Sequence, residues 1–101
     1  MAAAVADNPS EHRYEVSVDG DVLGFTQYHA RPGLIAFVHT EIDKDHEGEG
    51  LASTLIAAAL DDARERGLAV LPFCPFVNAY IERHPEYVDL VPAQYRERFG
   101  L

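Results

Sequence analysis

Three groups of residues in this 101-residue chain have the types and spacing that chemistry can use. The first is Gly48-Glu49-Gly50-Leu51-Ala52-Ser53, two glycines at the entry to an apolar-periodic stretch. Glycine has no Cβ to hold a ligand away from the backbone. The first N–H groups of a helix lack intrahelical partners and lie at the positive end of its dipole, so such a junction suits phosphate. The plain alternative is a tight strand-to-helix turn. The second group is His39 and Glu41, whose two-residue spacing puts both on one face of a strand, where either can accept a proton from a substrate at the strand end. Exposed polar residues at a strand terminus are the competing explanation. The third is Cys74. Accessible, it is a nucleophile as the thiolate or a general acid as the thiol; enclosed, it is a small apolar residue.

Periodicity indicates the elements that position these groups. Residues 1–11 read as a flexible tail, and 12–101 as one domain. From His12 to Val18, Tyr14, Val16 and Val18 alternate with polar residues, the period of a half-buried strand. Asp19-Gly20-Asp21 turns the chain into Val22–Ala30, and Arg31-Pro32-Gly33 turns it into Leu34–Ile42, giving three antiparallel strands. Leu51, Leu55, Ala59 and Ala63 form the apolar stripe of a helix over residues 49–66, and Gly67 stops it. The unbroken apolar run Leu68–Phe73 reads as a central strand covered on both faces. Strand, helix and strand make a βαβ crossover in an α/β (α+β) domain, which brings the glycine turn to the carboxyl end of the sheet. Pro75 ends the strand near Phe73–Pro75, and a short helix covers residues 77–82.

Composition excludes several classes of function. A net charge of −9 opposes nucleic acid, whose binding requires cationic side chains, and favours cationic partners such as amines. Asp43, Asp45, Glu47 and Glu49 flank the glycine turn with only Lys44 opposing, so an anion there must be held mainly by backbone donors. No apolar run has the roughly 20 residues of a membrane helix. One cysteine permits no internal disulfide, and a cytoplasmic location is expected. His29 and His46 have no ligand partners at metal-binding spacing, so no metal is expected.

Taken in order, His39-Thr40-Glu41, Gly48-Glu49-Gly50-Leu51-Ala52, Cys74-Pro75-Phe76-Val77, Tyr80-Ile81 and His84-Pro85-Glu86-Tyr87 resemble the short YjdJ-type branch of the GNAT superfamily of acetyl-CoA-dependent N-acetyltransferases. Gly50 and Ala52 match the last two fixed positions of its phosphate turn, and Glu47 stands where Gln or Arg is usual. The resemblance implies a reduced GNAT fold in which a splay between the strands before and after the helix admits the pantetheine arm. It implies acetyl-CoA as co-substrate, with Gly48, Glu49, Gly50, Leu51, Ala52 and Ser53 at the pyrophosphate and Asn78 and Cys74 beside the pantetheine. Glu41 or His39 would then take the proton of an attacking amine, and Tyr80 or Cys74 would protonate the departing thiolate. Asn78 also reads as a helix cap, and His84 and Tyr87 as parts of a helix stop. The acceptor is an amine, small or on a protein, and the chain is a monomer or homodimer. Two other functions fit the same residues: a CoA or acyl-CoA sensor without turnover, and a thiol module reacting through Cys74.

Overall fold

In the computed structural model, which describes residues 2–101, the alternating stretches form four antiparallel strands. These are β1 (Ala3–Asn8), β2 (Arg13–Val18), β3 (Asp21–Arg31) and β4 (Leu34–Ile42). Helix α1 (Leu51–Glu65) crosses over to β5 (Ala69–Pro72), which pairs parallel with β4, so the sheet order is β1-β2-β3-β4-β5. Helix α2 (Pro75–Arg83), a 3-10 segment (Pro85–Leu90) and the short α3 (Ala93–Arg96) follow. The mixed α+β fold is the one that the sequence predicts.

Details differ from that expectation. Most of the expected tail is a strand: β1 pairs with β2 from Ala3↔Val18 to Asn8↔Arg13. Met1, the first residue of that segment, lies outside the described residues. Small residues give β1 little propensity of its own, and long-range contacts fix it. The Tyr28 hydroxyl donates to Asp7 Oδ1 at 2.6 Å, and Arg66 Nη1 lies 3.6 Å from Asp7 Oδ2. Tyr14 on β2 donates to Asp62 of α1, and Arg66 reaches both of them. Burial, reinforced by the hydrogen bond to Asp7, pushes the Tyr28 hydroxyl up to about 12. It therefore stays a donor at neutral pH.

The second difference is β5. It is an edge strand rather than a central one, and its burial alternates, with Val70 and Pro72 inside and Ala69 and Leu71 partly open. An apolar run long enough for a doubly covered strand is here a strand whose one face meets the core. The core is one cluster between the sheet and the helices, with Val16, Ile35, Phe37, Leu55, Ile56, Leu60, Val70, Val77 and Ile81 within it. A third difference is the start of α1, at Leu51 rather than Glu49, because Gly48 and Gly50 both adopt positive φ (83° and 78°).

Phe37 is fully buried, with the Tyr14 and Tyr28 rings 6.3 and 6.4 Å away. Phe37→Ala is expected to lower stability by about 3–5 kcal/mol through lost apolar burial and a residual cavity. A urea midpoint within error of the unaltered protein's would refute this account of the core.

Candidate active site

The groove that concerns chemistry arises because β4 is nine residues long and β5 only four. Their pairing stops at Phe37↔Pro72, because the Phe73 N–H, the next donor on the β4 side of β5, turns back to the Leu71 carbonyl at 3.1 Å. One further bond, from Cys74 N–H to the Phe37 carbonyl at 2.8 Å, ends the contact, and Val38–Ile42 continue without a β5 partner. The gap is the splay expected near Phe73–Pro75, placed slightly earlier. It opens into a groove of about 920 Å³ bounded by residues 22–25 of β3, 40–43 of β4, the turn before α1, the first residues of α1, Arg13 and Phe76.

At one end lies the start of α1. Gly50 is its N-cap and contributes no side chain, no other side chain caps the helix, and Gly50, Leu51, Ala52 and Ser53 all line the groove. No atom lies within 4 Å of where a Cβ would project from Gly48 or Gly50. The free N–H groups, the dipole and the open space before both glycines fit a diphosphate. Two neighbouring carboxylates are engaged elsewhere: Asp43 Oδ1 accepts the Asp45 N–H at 2.9 Å, and Glu49 pairs with His46 Nδ1 at 3.1 Å.

At the other end, β3 and β4 slip register between Gln27↔His39 and Tyr28↔Phe37, leaving Val38 as an extra residue. The bulge reverses the inward side of β4, so that Phe37 and Thr40 both face the core and His39 and Glu41 both face out. His39 Nε2 lies 3.1 Å from Glu41 Oε1, with their side chains 53% and 62% exposed. Glu41 lines the groove and His39 does not; it reaches the groove only through its pairing with Glu41. On the inner side Thr40 lines the groove and lies 2.9 Å from Thr26 Oγ1 and 3.2 Å from Cys74 Sγ. Cys74 is 2% exposed, so the thiol lies under the groove floor rather than on its wall.

Residues 13–90 match the family of the GCN5-related N-acetyl-transferases. The chain belongs to this family. Its fold is similar to the solution structure of a GCN5-like protein from Staphylococcus aureus, with 21% identity, a TM-score of 0.66, and coverage of 87% of this chain and 86% of that one. It is also similar to the crystal structure of ribosomal-protein-alanine N-acetyltransferase from Brucella melitensis biovar Abortus, at 25% identity and a TM-score of 0.56. That match covers 80% of this chain and 60% of the Brucella protein.

In this member of the GCN5-related family the remaining candidates lie away from the groove. Tyr80 is buried, stacks on His84 with ring centroids 4.0 Å apart and packs against Tyr87, whose hydroxyl donates to Asp61 of α1. Helix α2 thus turns Tyr80 toward the carboxyl half of α1, and Tyr80 is not among the groove residues. Asn78 donates through Nδ2 to the Phe99 carbonyl at 3.0 Å, while its Oδ1 is buried without a partner. His84 and Tyr87 serve packing. Among the described residues no cluster of three or more His, Cys, Asp or Glu side chains is placed to hold a metal ion. Also among them, no helix is long and apolar enough to cross a membrane.

Sequence reasoning missed Thr26, Thr40, Phe76 and Arg13. Phe76, 53% exposed beside the groove, stood in a quoted segment but carried no signal of exposure. The Thr40 contact depends on the bulge at Val38, for which the sequence holds no mark.

Hydrogen bonding to Glu49 holds His46 above the ordinary histidine range. Because its folded-state value is raised, the pair's stabilisation is complete below the unfolded-state value and is lost as pH rises through the raised one. An NMR titration of the His46 ring is expected to show an elevated midpoint, returned to the ordinary range by Glu49→Gln. An unshifted midpoint in the unaltered protein would remove the pair.

Proposed function

We propose that this chain transfers acetyl from acetyl-CoA to an amine, and that within its family it belongs to the short YjdJ-type branch suggested by its ordered segments. The supporting observation is the groove itself, which connects the uncapped start of α1 at one end with the Glu41 carboxylate at the other. Acetyl-CoA, when bound, supplies an activated thioester whose carbonyl an amine can attack. The backbone from Gly48 to Ser53 holds the pyrophosphate, and Phe76 forms an apolar wall. Glu41, steadied by His39, takes the proton that an ammonium must lose before its lone pair can react. Of the two proton donors considered for the departing sulfur, Cys74 is linked to the groove through Thr40, whereas Tyr80 faces away from it. An acceptor presented by a protein suits so open a groove, and one structural neighbour is named for acetylating an alanine of a ribosomal protein.

A sensor that binds CoA without turnover is the second reading. It is favoured by the enclosure of Cys74 and the orientation of Tyr80, which leave no exposed acid facing the sulfur end. A thiol module finds less support, because a thiolate must be accessible to react.

Calorimetric titration with acetyl-CoA tests the cofactor end. Gly50→Val, which puts a branched side chain at φ 78° and in front of the donors, is expected to reduce binding below detection, and Glu47→Arg to tighten it severalfold. Unaltered affinity in both variants would remove the phosphate assignment.

Release of CoA thiol in the presence of amines tests the chemistry. Glu41→Gln is expected to lower kcat about 10²-fold or more with little change in acetyl-CoA affinity. Turnover at the unaltered rate would displace Glu41 as the base, and no turnover with any amine in a protein that binds acetyl-CoA would establish the sensor.

A further inference from the structure

Across the outer face of the sheet runs a row of side chains that the acetyl-transfer chemistry does not use. Arg13 on β2 lines the groove and lies over the Phe25 ring, its guanidinium carbon 4.4 Å from the centroid. Phe25 on β3 stands directly opposite Glu41 on β4 in the strand register. Arg13 is held from below as well. Its Nε donates to Glu15 Oε2 at 2.8 Å, and the same oxygen accepts from Asn8 Nδ2 at 3.1 Å, which fixes the carboxylate. Arg13 and Asn8 together hold Glu15 below the usual carboxylate range, so it remains charged.

This arrangement takes up the Nε edge of the guanidinium and leaves the two terminal nitrogens without a hydrogen-bond partner among the described residues. An arginine oriented by an ion pair and a ring, with its fork free, is set to receive a carboxylate in two parallel hydrogen bonds. Among the described residues it is also the only lysine or arginine lining the groove. The pyrophosphate donors belong to α1, whereas Arg13 extends from β2 beside the Glu41 end.

We propose that Arg13 selects the acceptor by binding a carboxylate near the amine to be acetylated, and that the acceptor is a polypeptide amino terminus with Asp or Glu in its first two positions. The proposal rests on the acetyltransferase reading. Arg13 stands opposite Gln27 and, beyond it, His39, so Glu41 lies two strands across and two residues along, about 12 Å between backbones, and the lean of Arg13 over Phe25 shortens the gap. The backbone advances about 3.3–3.6 Å per residue, so a side-chain carboxylate on the first or second residue spans the remaining distance from an amine at Glu41. The carboxylate of the reacting amino acid itself is too close to its amine to do so.

Short peptides that begin Ala-Asp, Ala-Asn and Ala-Lys, with amidated carboxyl ends, test this in two assays. One is thiol release with acetyl-CoA; the other is calorimetric binding to the protein saturated with CoA. The expected result is a preference of at least tenfold for Ala-Asp over Ala-Asn in both. Arg13→Gln is expected to reduce that preference to within twofold and Arg13→Lys to keep part of it, while acetyl-CoA affinity stays within twofold in each variant. The proposal is overturned by equal binding of all three peptides, by no binding of Ala-Asp to the CoA-saturated protein, by a preference that survives Arg13→Gln, or by loss of acetyl-CoA affinity in Arg13→Gln. Failure of the unaltered protein to bind acetyl-CoA at all would instead overturn the acetyltransferase reading on which the proposal rests.

Discussion

The early end of the β4–β5 pairing is the constraint on which the rest of this structure depends. The Phe73 N–H bonds back to the Leu71 carbonyl instead of to β4, and the chain turns into α2 two residues after Pro72, with Pro75 at its first position. Strand β4 continues for five residues past its last β5 partner, which leaves a gap at the edge of an otherwise paired sheet. A parallel partner requires a crossover, and the crossover helix must begin close to where β4 ends. The same topology that opens the gap therefore brings the unpaired N–H groups of α1 to its rim. The core beneath it, built on Phe37, Ile35, Leu55 and Val77, keeps the two sides of the gap in place.

Electrostatics at the groove follow from how the charges are tied. Four acidic residues flank the glycine turn, of which Asp43 accepts a backbone N–H and Glu49 pairs with His46. At the opposite end Arg13 is anchored by Glu15 and Phe25, while Glu41 and His39 pair in solvent. A separate network of Tyr14, Tyr28, Asp7, Asp62 and Arg66 ties β1–β3 to the carboxyl half of α1, far along the helix from the groove. It anchors the sheet from which Arg13 and Phe25 extend.

Local signals in the sequence were sufficient for β2, β3, β4, α1 and α2. Alternation at Tyr14, Val16 and Val18, the glycine turns, and the Leu51 to Ala63 stripe are nearest-neighbour properties of the chain. The glycine turn and the common face of His39 and Glu41 were likewise readable, because each depends on residues close in sequence, whereas β5 ends at Pro72, before the Phe73–Pro75 expected from Pro75. What was misread depends on partners distant in sequence. Strand β1 is fixed by β2 and by Tyr28 and Arg66; β5 is an edge strand because no further strand follows it in the sheet.

Residue type and spacing by themselves determined a sheet with a crossover helix, a phosphate-competent turn, and a carboxylate and imidazole side by side at a strand end. Only the tertiary structure decided which candidates meet. The bulge at Val38 reverses the facing of β4 and brings Thr40 onto Cys74, while the packing of α2 against α1 turns Tyr80 to His84 and Tyr87. A one-residue register slip costs little locally and leaves no trace in composition, yet it exchanges the two faces of a strand. A helix likewise presents whichever side buries most apolar surface, and for α2 that side carries Val77, Tyr80 and Ile81 into the core.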